Sequence, residues 1–164
     1  MSQRAELLAD RAAKGAAMLA DYASKLDDTQ WKTRISSKDG RTVGVGVHHV
    51  ASVYPIEIQL AMLLAEGKEA PPSWNDVHQM NANHARDNAS VTQEEALKLL
   101  RENSAKAVEA IRGLTDAQLD SAAPCGLCDG APMTCQFFIE DHAMRHSYHH
   151  LATIRAAVET TARV

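Results

Sequence analysis

"RTVGVGVHHVASVYPIEIQLAMLLAEG", residues 41–67, is the segment whose reading decides the fold class. Its first turn of chain, "TVGVGV", alternates β-branched valines with Gly44 and Gly46, a composition that locally favours a strand. From Val47 onward the pattern changes. Apolar residues fall at 47, 50, 51, 54, 58, 61, 62 and 64, a helical period. Pro55 lies inside that period, where it kinks a helix or costs about 3 kcal/mol in a rigid one. The segment therefore reads as one long helix with a loosened first turn and a bend, and the chain as all-α.

The flanking sequence supports this. Residues 3–26 place apolar side chains at 7, 8, 12, 16, 19, 23 and 26, a helical stripe, and "DDTQW" then breaks it before a polar loop through "SSKDG". After the loop "GKEAPPSWND", the stretch "DVHQMNANHARDNA" reads as a short helix entered after Ser73. In "SVTQEEALKLLRENSAKAVEAIRGL", Thr92 with Glu95 three residues on forms a capping box, and Gly113 ends the helix. "SAAPCGLCDGAP" reads as a turn-rich loop. Pro132 then falls near the first turn of a final helix over about 134–161. No repeat or low-complexity tract interrupts the chain, which is expected to be a single domain over residues 1–164.

Composition agrees with helix-on-helix packing: 45% of residues are apolar but only 4% aromatic, so the core is built from small aliphatic side chains. The balance of 17 basic against 21 acidic residues, with no basic stripe, argues against nucleic acid as a partner. No run approaches the roughly 20 apolar residues of a membrane span, and "MSQRAELLADRAAKG" lacks the apolar core of a signal peptide, so a cytoplasmic protein is expected.

Histidine is the conspicuous residue. "HAMRHSYHH", residues 142–150, holds four of the eight histidines, and 138, 142, 146, 150 and 154 (Phe, His, His, His, Ile) share one helical face. Three histidines over two turns span about 12 Å along the axis, too far for all to reach one ion through bonds of about 2 Å. Two at i, i+4 can do so, and a third ligand must come from another helix. His48 or His49, His78 and His84 are the candidates. Adjacent histidines point about 100° apart, so 48 and 49 do not both face the ion.

"TVGVGVHHVA" followed far downstream by "HSYHHLATIRAA" resembles the DinB/YfiT-like superfamily, whose members include the metal-binding domain of mycothiol-dependent maleylpyruvate isomerase and the bacillithiol S-transferases. The resemblance extends to "NANHA" and "LTDAQLDSAA" and so covers nearly the whole chain. It implies a four-helix bundle with a long crossover between helices two and three. It also implies a divalent metal ion, zinc or nickel, held by His49, His146 and His150 with coordination positions left open. His49 is taken over His48 because Val50 and Ala51 follow it as in the motif. His48 and His149 then point away, while His142 and, after the crossover, Asn81 line the substrate pocket.

The remaining signals are weaker. "PCGLC" matches half of the zinc deaminase signature, but no His-x-Glu exists in the chain to complete it. A structural zinc on Cys125, Cys128 and Cys135, or a redox pair, competes with the reading adopted, free thiols in a loop. The glycines form no phosphate-binding motif. The function expected is a metal-dependent thiol S-transferase or hydrolase acting on a small molecule, with a low-molecular-weight thiol as co-substrate in the first case. A homodimer is left open. The competing expectation is a non-enzymatic stress-response or binding bundle with a structural metal.

Overall fold

The computed structural model describes residues 2–36 and 40–161. Four long helices form the body: α1 (Gln3–Ala23), α3 (Val43–Ala65), α5 (Gln93–Arg112) and a final helix made of α7 (Cys135–Ile139), a π-helical turn (Glu140–Met144) and α8 (Arg145–Thr161). Between them lie α2 (Asp28–Trp31), α4 (Trp74–Asp87), α6 (Asp116–Asp120) and a two-stranded antiparallel ribbon, β1 (Ala122–Pro124) with β2 (Pro132–Thr134).

Contacts along the helices fix their directions. Val43 and Val47 share an apolar cluster with Ala96 and Leu97, whereas Leu64 shares the other cluster with Ile111. α3 and α5 are therefore parallel neighbours. α1 runs against them, since Gln93 donates to the carbonyls of Ala23 and Leu26 while Arg112 pairs with Glu6 at 2.8 Å. The final helix runs with α1, tied by Arg4 to Gln136 and by Tyr148 to the Arg11 carbonyl. Parallel neighbours cannot be joined by a tight turn, so the chain needs the long crossover that contains α4. The expected four-helix bundle, with its crossover between the second and third long helices, is the observed one.

α3 is helical from Val43, with Thr42 as N-cap, so the loosened first turn expected from sequence is absent. The two glycines explain this. A β-carbon at Gly44 would collide with the Trp31 indole, and one at Gly46 with the Ile35 side chain. Trp31 itself is anchored by its Nε1–H donating to the Val91 carbonyl at 3.0 Å. The close approach of α2 outweighs the strand preference of the valines. α2 itself, capped reciprocally by Asp27 and Gln30, lies in the stretch expected to break the first helix. Of the polar loop expected beyond it, residues 37–39 lie outside the described residues.

Two further elements follow α5, and the second differs from expectation. "LTDAQLD" contains α6, again with a capping box, Thr115 with Gln118. The cysteine loop is a ribbon: Ala122 pairs with Thr134 and Ala123 with Met133, which places Pro132 in β2 rather than in a helix. Thr134 is the cap of the final helix, accepting from the Phe137 amide. The ribbon's tip is strapped to the start of the crossover, where the Gly126 amide donates to the Ala70 carbonyl and the Ala70 amide to the Pro124 carbonyl.

Pro55 sits inside α3 and deprives the buried Ala51 carbonyl of its i+4 partner. The Asn103 side-chain amide, from α5, donates to that carbonyl at 2.9 Å instead. Asn103→Ala should therefore cost about 1–3 kcal/mol, the penalty for an unsatisfied buried acceptor. Urea unfolding should show a lower midpoint at unchanged slope. Adding Pro55→Ala should restore most of the loss by returning the helix's own donor. No recovery in the double variant would show that Asn103 acts otherwise.

Candidate metal centre

α3 carries His49 and α8 carries His146 and His150, one turn apart. The antiparallel packing of the two helices brings the three imidazoles together. Their candidate ligand atoms all lie within 4.8 Å of one another, and Nε2 of His146 is 3.2 Å from Nε2 of His49. Two nitrogens on a tetrahedral zinc, each at about 2.0–2.1 Å, lie about 3.4 Å apart, so this pair already has ligand spacing. His146 and His150 are stacked at 4.8 Å between ring centroids, and His49 meets both edge-on.

His49 and His150 are buried, and His146 is partly so. Burial, followed by the neighbouring His146, His150, Arg41 and His84, pushes the His49 pKa down to about 2. The ring is thus held neutral, the form a metal needs.

Behind His146 stands Glu57, two turns along α3 from His49. Its Oε1 lies 2.6 Å from His146 Nδ1, and the residue is 7% exposed. A proton on Nδ1, donated to this carboxylate, leaves the Nε2 lone pair facing His49. That is the arrangement by which an outer carboxylate fixes the tautomer of a ligating histidine. The other carboxylate oxygen, Oε2, is buried without a hydrogen-bond partner. Sequence reading missed Glu57. The available signal was a lone acid in the apolar run "VYPIEIQLAMLL", in step with 49 and 53.

The histidines open onto a cleft of about 540 Å³ between α3, the crossover and the final helix. Its walls are largely apolar, with Ile56, Leu60, Trp74, Leu127 and Phe138 contributing. Trp74 closes one side by donating its Nε1–H to the Leu127 carbonyl at 2.9 Å, which joins crossover to ribbon. His142 and Asn81 both border this cleft. His142 lies on the π-helical turn, packed on Phe138 at 4.4 Å, and burial lowers its pKa. Asn81 presents a buried Oδ1 that has no hydrogen-bond partner.

The other candidates lie elsewhere. His48 turns away and stacks on His84, with Nδ1 2.9 Å from His84 Nε2. His78 is exposed beside Trp74. His149 is exposed and reaches the cleft rim. Cys125 and Cys135 are buried and Cys128 half-buried, all as free thiols, and the only metal-ligand cluster among the described residues is the histidine triad. Burial raises the Cys135 pKa to about 11, the opposite of an activated thiol. No described helix is long and apolar enough to cross a membrane.

Comparison with known proteins places this geometry. The structure superposes on YfiT from Bacillus subtilis, described as a probable metal-dependent hydrolase with an unusual four-helix bundle topology. The TM-score is 0.79 at 21% identity, over 99% of this chain and 90% of that one. No curated protein sequence matches significantly. The family model for the DinB superfamily matches residues 11–154, the greater part of the chain, and the protein therefore belongs to the DinB superfamily.

Proposed function

We propose that His49, His146 and His150 hold one divalent ion, zinc or nickel, and that the protein is a metal-dependent enzyme acting on a small molecule in the adjoining cleft. The reaction is hydrolysis, or transfer to a low-molecular-weight thiol. The observation that carries this reading is the triad itself: three imidazoles from two helices, one backed by a buried carboxylate, opening on a cleft rather than sealed in the core. A structural site is closed by its fourth ligand, whereas a catalytic one keeps a position open. When bound, the ion supplies a Lewis acid that makes a nucleophile of water or thiol available at neutral pH.

The chain's own residues do the rest. Glu57 holds the His146 ring in its tautomer and orientation, and burial keeps His49 neutral. Trp74, Leu127 and Phe138 limit water in the cleft, which strengthens every polar contact inside it. Asn81 offers an unpartnered carbonyl oxygen that can accept from a substrate N–H or O–H. His142 is placed to take or return a proton. YfiT's description as a probable metal-dependent hydrolase supports the hydrolytic form of the reading.

Changing His49, His146 or His150 to Ala should each remove most of the bound metal, while His48→Ala and His149→Ala should leave it in place. Elemental analysis of the purified variants decides this. A fully loaded His49→Ala protein would remove α3 from the ligand set.

Glu57→Leu should weaken metal affinity about 10–100-fold, the usual effect of losing an outer-shell partner. Glu57→Gln should weaken it less, because its amide oxygen still accepts from Nδ1. Competition with a chromogenic chelator measures both. Equal affinities in wild type and Glu57→Leu would make Glu57 a packing residue only.

Acid should act twice. Protons compete with the ion for ligating imidazoles, so occupancy should fall as the solution is acidified. In the metal-free protein, His49 has a folded pKa far below its unfolded value. The unfolded chain takes up the extra proton, and the contribution of His49 to stability, complete above about pH 6.5, is lost at about 1 kcal/mol per pH unit as pH falls. At neutral pH the apolar core should keep the metal-free bundle folded with a lower melting temperature. Far-ultraviolet circular dichroism during chelation tests this, and wholesale loss of helix would make the metal structural.

A further inference from the structure

The cysteines of "PCGLC" play no part in the metal centre, yet the fold sets them beside its cleft. Cys125 opens the 3-10 turn Gly126–Cys128, and its carbonyl accepts from the Cys128 amide at 3.0 Å and the Gly130 amide at 2.9 Å. A turn closed by an i to i+3 bond holds its end Cα atoms within about 7 Å, the range in which a disulfide can close. The two side chains meet as well, since the Cys125 and Cys128 thiols are hydrogen-bonded to each other. Cys128 is half-buried and within reach of a solute, while Cys125 is fully buried.

Cys135 is out of reach of this pair. Cys125 lies level with Ala131 in the β1–β2 ribbon, because its amide donates to that carbonyl, and Cys135 lies level with Ser121 for the same reason. Four residues of strand separate positions 121 and 125, about 13 Å at roughly 3.3 Å per residue, well beyond a disulfide's span.

The turn between the two sulfurs carries the latch of the cleft. Leu127, inside it, supplies the carbonyl that takes the Trp74 Nε1–H at 2.9 Å. Trp74 is the first residue of α4 and is 51% exposed, so this hydrogen bond is what ties the indole to the ribbon. The same turn grips the start of the crossover. The Gly126 amide donates to the Ala70 carbonyl, and a β-carbon at Gly126 would collide with the carbonyls of Pro71 and Pro72.

We propose that Cys125 and Cys128 are a reversible disulfide site, oxidised by a low-molecular-weight disulfide RSSR, and that the bridge fixes the Leu127 carbonyl and so holds Trp74 closed over the cleft. The Cys128 thiolate attacks one sulfur of RSSR, forming a mixed disulfide and releasing one thiolate. The Cys125 thiolate then attacks Cys128 Sγ and releases the second. The cysteine pair loses two electrons and two protons, and RSSR becomes two RSH. Burial, followed by Cys125, Asp141 and Asp129, raises the Cys128 pKa, so exchange at neutral pH is slow. That suits a site answering sustained oxidation and not a redox catalyst. The effect on turnover rests on the cleft being the substrate site; the bridge itself does not.

The test equilibrates the metal-free, full-length protein with mixtures of oxidised and reduced glutathione, chelator present. Free thiols counted after denaturation should fall from three to one, and peptide mapping should find Cys125 joined to Cys128. In isotope-labelled protein the Trp74 indole N–H should exchange with solvent at least about tenfold more slowly once oxidised, because the latch opens less often. The buried Trp31 indole, bonded to the Val91 carbonyl, serves as the unchanged reference. Cys128→Ser should abolish both effects and Cys135→Ala neither. Glutathione retained on Cys128, a crosslink between two molecules through Cys128, or a bridge from Cys125 to Cys135 would overturn the disulfide site. A Cys125–Cys128 bridge with unaltered Trp74 exchange would overturn the latch. Neither readout uses metal or substrate, so failure of the metal-enzyme reading would leave both standing.

Discussion

The parallel pairing of α3 with α5 is the constraint from which the rest of the molecule follows. Two parallel helices side by side force the chain to travel back along the bundle between them. In this protein the return path is used: α4 supplies one wall of the cleft, through Trp74 and Asn81, instead of merely closing the connection. The same pairing leaves the opposite side of α3 for the final helix, which arrives antiparallel. Only that direction sets His49 against His146 and His150 while Glu57 falls behind His146. Topology and site are one arrangement.

What can be read in the sequence divides along the range of the interactions involved. The long amphipathic helices, the capping box at Thr92 and the helix entry after Ser73 are local, and they are where the pattern places them. The i, i+4 histidine pair is local too, and the limit of about two ligands per straight helix demands a partner helix from spacing alone. The start of α3 is not legible in the same way. Valine and glycine propensities point to a strand, and what overrides them is contact with Trp31 and Ile35, which no local rule contains. The β1–β2 ribbon escapes sequence reading for a related reason. Its strands are three residues each, and its tip is secured by Ala70, more than fifty residues earlier.

Glu57 is the most instructive omission. An acid within an apolar helical run contradicts burial unless it has a partner, and the partner is 89 residues away. The residue can be flagged from sequence as an anomaly, but its role depends on which way the last helix runs. The same applies to Pro55, whose cost is met by Asn103 from another helix. In both cases the sequence shows the problem and only tertiary packing shows the solution.

The departures from good packing practice are not scattered through the bundle. The π-helical turn, the unpartnered oxygens of Glu57 and Asn81, and the cluster of three histidines all border a single cleft. Away from it, the two apolar clusters are made of aliphatic side chains packed in the ordinary manner, with Ala12, Leu64 and Ile111 at one end and Leu19, Val47 and Ile154 at the other. A bundle selected for stability alone would fill the positions of His49, Glu57 and His150 with leucine, since buried polar groups rarely match an apolar replacement. Local rules are broken where a site needs them broken, and π-turns in particular concentrate at such places. These departures border the cleft onto which the triad opens, and the apolar ends of the bundle supply the stability that lets them persist.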